Sequence, residues 1–263
     1  MKCGNLSIYF EEFNKKASET IIFAHPAPLD HTAWIYQVPI FAEHYHVYTF
    51  DQRCFGLSDK PEYSFNVDEY GRDLQRFINN AGITKTYLVG LSLGGIASQF
   101  MALFEPEKIT GLILADTLSA TRSSATIYER VTRFKMEGID GYYAEAFKSL
   151  CSKNFLASRI GRYFLNLFFE RSKILSNASI IRCYEALASL DITKQLASIK
   201  LPTLVLAGTE DYAFEDTRLI AQTIPNAKFV PLEGLGHITQ LEDPALFNSI
   251  VLDFIRKNSD ATN

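Results

Sequence analysis

Short apolar runs alternate with stretches of helical periodicity along most of the chain, and this alternation constrains the possible folds more than any other feature. Between the runs, apolar residues recur at helical spacing, as in 67–81 and 246–255. Strands this apolar have no solvent-facing side, so the pattern predicts an α/β fold with a mostly parallel central sheet flanked by helices on both faces. The predicted strands are LSIYFEEF, TIIFAHP, HVYTFD, TYLVG, ITGLILAD, PTLVLAG and KFVPL.

The alternation stops between residues 118 and 195. No convincing strand pattern occurs there, and the segment has a helical pattern rich in Tyr, Phe, Ser and Arg. Strand and helix alternate again from IKLPTLVLAG onward. We therefore predict a core formed by residues 1–117 and 196–263, with residues 118–195 inserted as a helical cap.

Composition excludes several classes of function. The 263 residues are 47% hydrophobic, as in globular proteins, and the net charge of −4 includes no basic stripe suited to nucleic acid. The N-terminal residues lack the apolar run of a signal peptide or membrane span, so we expect a cytoplasmic protein without a membrane partner. The four cysteines are scattered, with no metal-ligand spacing, so we expect neither metal nor cofactor. A monomer and a homodimer both remain open.

The stretch GLSLG, residues 90–94, matches G-x-S-x-G, and it follows a predicted strand and precedes a predicted helix. In that context the serine, Ser92, sits on a sharp turn that lifts its hydroxyl above the sheet edge, as a nucleophile requires. The alternative is a glycine-rich packing turn with an idle serine.

A serine nucleophile needs a histidine base, which in turn needs an acid to orient its ring. The chain has five histidines, and His237 alone follows Ser92, as the chain order Ser, acid, His demands. For the acid, we favour Asp211, just past the strand PTLVLAG, over Asp116, which follows GLILA. The other role open to Asp116 is to cap the chain where it enters the inserted segment.

Two backbone N–H groups should hold the oxyanion of the reaction. Leu93, directly after the nucleophile, is expected to supply one. The other should come from the turn HPAPLD, where Ala27 has an N–H group, whereas Pro26 and Pro28 have none.

Four blocks of the chain resemble motifs of the α/β-hydrolase superfamily. HPAPLDHTAW is similar to its oxyanion turn, DQRCFGLSDKP to its Asp-x-Arg-Gly-x-Gly-x-Ser loop, GLSLGGIA to its nucleophile elbow, and GTEDYAF with GLGHITQLEDP to its acid and histidine loops. Pro26 and Cys54 stand where the family usually has glycine. The resemblance is greatest to small carboxylesterases, enol-lactone hydrolases and perhydrolases.

The resemblance and the residues together predict a serine hydrolase. It would cleave an ester or lactone of a small, largely apolar substrate through an acyl-enzyme on Ser92. A ligand receptor with slow or no turnover, and a perhydrolase or C–C bond hydrolase with the same triad, are the alternatives. Arg122 is a candidate partner for a substrate carboxylate near the cap entrance, and the alternative, which we favour, is a solvated arginine. Aromatic residues of the cap either line the pocket or pack the cap's own core: Tyr142, Tyr143, Phe147, Phe155, Tyr163, Phe164, Phe168, Phe169 and Tyr184.

Overall fold

A mostly parallel sheet is the framework of the protein. The computed structural model describes residues 1–259, without the side chains of Thr126, Asp140, Tyr143 and Ala144. The order across the sheet is β3-β5-β4-β6-β7-β8-β9, and every neighbouring pair is parallel except β3 with β5. This confirms the predicted α/β architecture. After a two-stranded hairpin of β1 (Lys2–Cys3) and β2 (Leu6–Ser7), the sheet strands are β3 (Phe10–Phe13), β4 (Thr20–Ala24), β5 (His46–Phe50), β6 (Thr86–Leu91), β7 (Ile109–Ala115), β8 (Thr203–Gly208) and β9 (Lys228–Leu232).

The first predicted strand, LSIYFEEF, is divided between β2 and β3. Tyr9 lies between the two strands, and its N–H donates to Ser58 Oγ at 2.8 Å. Its carbonyl accepts from Asp51 N at 2.9 Å. The backbone groups of Tyr9 are thus used by the loop after β5, which interrupts the strand.

Helices cover both faces of the sheet, because alternate strand residues point to opposite sides. In β4, Ile22 packs in the apolar layer that includes Leu74 and Phe77, whereas Phe23 packs in the other layer with Trp34. No helix within residues 1–259 is both long and apolar enough to cross a membrane. In chain order the α-helices are α1 (Val38–Phe41), α2 (Glu69–Asn80), α3 (Leu93–Phe104), α4 (Ser124–Leu150), α5 (Lys153–Ala157), α6 (Arg159–Ser172), α7 (Asn177–Leu187), α8 (Phe214–Thr223), α9 (Thr239–Glu242) and α10 (Pro244–Ser259).

Helices α4 to α7 lie between β7 and β8 in the chain. α4 bends at Gly138, whose φ of 66° is outside the helical range. Where the chain leaves and rejoins the sheet, Ala120 pairs with Asp191 in an antiparallel bridge, and Thr121 N donates to Leu190 O at 2.8 Å. The cap with bounds 118–195 stays a prediction, and this bridge supports it by joining the two ends of the segment.

A buried arginine fastens the loop after β5 to α2. Arg53, 3% exposed, donates from Nε to Asp73 Oδ2 at 2.7 Å and from Nη2 to Glu69 Oε2 at 2.9 Å. Its guanidinium also lies over the Phe65 ring, 4.7 Å from the centroid. A buried carboxylate that loses its cationic partner is strongly destabilising, so this loop depends on Arg53.

Replacing Arg53 by glutamine should lower the free energy of unfolding by about 3 kcal/mol, because the buried Asp73 would keep only the partly exposed Arg76 as its cationic partner. Arg72→Gln is the matched control: the Arg72 side chain is partly exposed and pairs with Asp68 at the start of α2, so its loss should cost less than about 1 kcal/mol. Urea unfolding followed by circular dichroism measures both. Equal losses in the two variants would contradict this account of the loop.

Candidate active site

Ser92 lies on the sharp turn between β6 and α3, in a strained backbone conformation. Its φ of 52° and ψ of −116° belong to a region that residues with a side chain rarely adopt. The turn is held by Ser92 N, which donates to Ala115 O at 3.0 Å, and by Thr117 Oγ1, which donates to Ser92 O at 2.7 Å. A Cβ atom on Gly94 would collide with the carbonyl oxygen of Ala24, so glycine at this position lets α3 begin directly against β4.

Ser92, His237 and Asp211 form one hydrogen-bonded chain. His237 Nε2 is 2.8 Å from Ser92 Oγ, and His237 Nδ1 is 2.8 Å from Asp211 Oδ1. Because a carboxylate oxygen can only accept, Nδ1 carries the proton, and Nε2 is free to accept the serine proton. The loops after β6, β8 and β9 therefore bring together the three residues that the sequence selected.

Asp116, the rival acid, lies at the same sheet edge but does not bind His237. Its Oδ1 accepts from Gly208 N at 2.9 Å, and its Oδ2 accepts from Thr239 Oγ1 at 2.5 Å. Burial, together with repulsion from Asp211, raises the pKa of Asp116 well above its ordinary value. Asp116 thus links Gly208, which precedes the loop carrying Asp211, to Thr239, which lies two residues after His237.

Ala27 and Leu93, the two expected oxyanion donors, both line the cavity above Ser92. Within residues 1–259, no protein acceptor is bound to either N–H group. The turn that carries Ala27 is held by His25, whose Nε2 accepts from Gln52 N at 2.9 Å, so its Nδ1 donates to Pro26 O, also at 2.9 Å. Burial lowers the pKa of His25, which keeps the ring neutral for this pair of bonds.

Cys54 lies in the core and does not line the cavity. Its φ of 77° is of the kind that favours glycine, which explains why related loops have glycine there. The thiol is buried, and burial raises its pKa to about 11. The side chain therefore belongs to packing.

A cavity of about 680 Å³ opens above Ser92, between the sheet edge and the segment predicted as the cap. Of the expected cap aromatics, Tyr142 and Tyr184 line it. The side chain of Tyr143 lies outside the described residues. Tyr163 is exposed, and the remaining aromatics pack in apolar clusters: Phe147, Phe155, Phe164, Phe168 and Phe169.

Arg122 has an ion-pair partner at the cavity edge, and its binding of a substrate carboxylate stays a prediction. Its Nε donates to Asp216 Oδ1 at 2.6 Å at the edge of the cavity, so its charge is already paired. Another arginine, Arg130 in α4, lines the same cavity. Nothing in the sequence singled it out, because it lies inside a helix with no motif around it.

Tyr212 was also missed, although it directly follows Asp211 in the sequence. Its ring stacks on His237, with 4.7 Å between ring centroids and 28° between planes. Its hydroxyl is 3.4 Å from His237 Nε2, the nitrogen that faces Ser92. Because Tyr212 directly follows Asp211, the same loop carries both residues. This adjacency is the sequence signal that could have identified Tyr212.

Comparison with known families agrees with this geometry. Residues 19–244 match the family model described as the alpha/beta hydrolase fold. The chain belongs to this family. As a hydrolase of the α/β-hydrolase fold, it has the architecture that the sequence motifs predicted.

Relatives of this α/β-hydrolase are similar over almost their full length. 3-Oxoadipate enol-lactonase 2 of Acinetobacter baylyi is 24% identical over 94% of this chain and 92% of its own. The crystal structure of the enol-lactonase from Burkholderia xenovorans LB400 superposes with a TM-score of 0.89, at 21% identity, covering 95% of this chain and 96% of that one. A thermophilic esterase from Thermogutta terrifontis gives a TM-score of 0.87 at 24% identity, with coverage of 96% and 94%.

The strain at Ser92 predicts an unusual order of stability among variants. Ser92→Gly should be more stable than Ser92→Ala by about 1–2 kcal/mol, because only glycine relieves the positive φ while both variants lose the hydroxyl. Thermal unfolding of the two proteins measures the difference. If Ser92→Ala proves the more stable variant, the turn is not strained.

Proposed function

We propose that the protein is a serine hydrolase that cleaves a carboxylic ester or lactone bond through an acyl-enzyme on Ser92. The observation that carries the proposal is the hydrogen-bonded chain of Ser92, His237 and Asp211 at the floor of an open cavity. Serine forms with an acyl group an ester that water can cleave at the carbonyl carbon, whereas with a saturated carbon it would form an ether, which has no carbonyl carbon for water to attack. Substrates of the acyl class follow from this nucleophile.

In the first half of the reaction, His237 Nε2 takes the proton of Ser92 as Oγ attacks the carbonyl carbon. The carbonyl π pair moves onto oxygen, and the N–H groups of Leu93 and Ala27 donate to that oxyanion. Asp211 stabilises the imidazolium and keeps the proton on Nδ1. When the C–O bond breaks, Nε2 returns its proton to the leaving oxygen.

In the second half, water attacks the acyl-serine carbonyl, with His237 again as the base. The Ser92 Oγ–carbonyl bond breaks, serine regains a proton from Nε2, and a carboxylic acid is released. With a lactone, the leaving alcohol stays attached to the acyl group, so a single product carries both the carboxylic acid and the hydroxyl group. The names of the relatives, enol-lactonase and esterase, support an acyl–oxygen bond as the target.

Ser92→Ala and His237→Ala should each remove nearly all hydrolysis of 4-nitrophenyl acetate and butyrate, because neither leaves an activated nucleophile; losses of about 10⁴-fold or more are expected. Release of 4-nitrophenol is followed through many turnovers. Cys151→Ala is the matched control, since this thiol lies outside the hydrogen-bonded chain and burial raises its pKa above its ordinary value.

A receptor on the same scaffold gives the opposite pattern. It would release at most one equivalent of 4-nitrophenol, and its ligand would bind the Ser92→Ala variant as well as the wild type. Sustained turnover that depends on peroxide would instead favour the perhydrolase.

Asp211→Asn and Asp116→Asn separate the orienting acid from its neighbour. Asp211→Asn should lower kcat about 10⁴-fold, because an amide facing Nδ1 favours the wrong ring tautomer. Asp116→Asn keeps an acceptor for Gly208 N, so its loss should be far smaller. Steady-state kinetics on 4-nitrophenyl butyrate measure both. A larger loss in Asp116→Asn would assign the acid to the end of β7.

A further inference from the structure

Arg130 differs from the other charged residues of the cavity wall. Asp216 is paired with Arg122, Glu145 with Lys148 at 2.9 Å, and Arg133 with Glu137 at 2.8 Å. These pairs leave two charged groups on the wall.

Of those two, Glu129 is exposed to solvent, whereas Arg130 is half-buried. Among the side chains that the structure describes, no carboxylate lies within ion-pair distance of Arg130. A half-buried guanidinium with no carboxylate partner can form a charge-assisted hydrogen bond with an anionic ligand.

The surroundings of Arg130 are aromatic. Its Cζ lies 5.7 Å from the centroid of the Tyr212 ring. Burial alone lowers its pKa, but the hydroxyls of Tyr212, Tyr142 and Tyr184 more than offset this. A carboxylate beside these aromatic rings would meet the planar fork of guanidinium donors, a geometry that favours bidentate binding.

The position of Tyr212 fixes which end of a substrate reaches Arg130. His237 Nε2 must return its proton to the leaving oxygen, so the leaving group lies beside that nitrogen. The Tyr212 hydroxyl is 3.4 Å from the same atom, and its ring stacks on the imidazole. Arg130 is therefore one aromatic ring removed from His237, whose Nε2 is the atom beside which the leaving oxygen must lie.

We propose that Arg130 binds a carboxylate carried by the leaving-group side of the substrate, which makes the preferred substrates anionic esters or lactones. The proposal rests on the ester or lactone hydrolysis proposed above. The sequence predicted a largely apolar substrate. The proposal narrows this class to substrates with a single negative charge, which lies in the leaving group beyond the oxygen that His237 protonates.

Three esters test the position of the charge. Phenyl acetate is neutral, 3-acetoxybenzoate carries a carboxylate on the leaving phenol, and monophenyl succinate carries one on the acyl side. In Arg130→Gln, kcat/KM for 3-acetoxybenzoate relative to phenyl acetate should fall about 10-fold or more, mainly through KM, because a charge-assisted pair is lost. Arg130→Lys should restore part of the ratio, since it keeps the charge but not the fork.

Lys135→Gln is the matched control, because it removes one positive charge from the exposed side of the same helix, α4. It should leave the ratio unchanged. An unchanged ratio in Arg130→Gln, an equal fall in Lys135→Gln, or a fall confined to monophenyl succinate would each overturn the proposal. Thermal unfolding confirms that the compared variants are folded.

Binding separates this proposal from the proposed reaction. Calorimetry with 3-hydroxybenzoate and phenol uses Ser92→Ala and the double variant Ser92→Ala/Arg130→Gln, so no turnover is needed. The single variant should bind 3-hydroxybenzoate about 10-fold more tightly than the double variant, with phenol unaffected. Equal affinities would overturn the role of Arg130 even if esters are hydrolysed. A difference would uphold it even if none of the three esters is hydrolysed.

Discussion

The parallel pairing of β6 between β4 and β7 is the constraint on which the site depends. Gly90 pairs with Ala24 on one side and with Leu114 on the other, so the carboxyl ends of these strands are level. The residues that follow them, including Ser92 and Ala27, must then emerge at one edge. A shift of this register by one residue would turn the nucleophile turn away from its neighbours. Apolar packing on both faces of the sheet is therefore what holds the reacting groups in place.

The histidine loop lies between β9 and α9, and the rest of the fold restrains it at several points. Asp116 binds Thr239 two residues after His237, and the N–H of His237 itself donates to Leu150 O at 2.7 Å. Leu150 ends α4, the helix that also carries Arg130. The base is thus coupled through one backbone bond to the helix that forms the cavity wall. A movement of α4 would reach His237 directly, without passing through the sheet.

The sequence predicted the sheet well because buried strands and amphipathic helices have periods that few residues violate. The sequence did not predict the interruption of the first strand at Tyr9, because the hydrogen bond that competes with strand pairing is made with Ser58, far along the chain. Elimination among histidines worked because the chain has so few candidates. Asp116 and Asp211 both follow neighbouring strands, so only side-chain geometry assigns them different partners. The ion pair between Arg122 and Asp216 likewise joins residues that are distant in sequence, and local pattern does not contain that pairing.

The division between core and inserted helices separates two physical tasks. The proton transfer that we propose between Ser92 and His237 would tolerate little change in distance, and the strands of the sheet provide that rigidity. The proposed recognition of a substrate carboxylate needs a positive charge on the cavity wall, which the helices between β7 and β8 would supply without altering the strands. Tyr212 lies between the two groups of residues. Its loop also carries Asp211, and its ring packs against both His237 and Arg130. A ligand bound by Arg130 would lie close to the Tyr212 ring, which also packs against His237. The Tyr212 ring would therefore take part both in binding the ligand and in orienting the histidine.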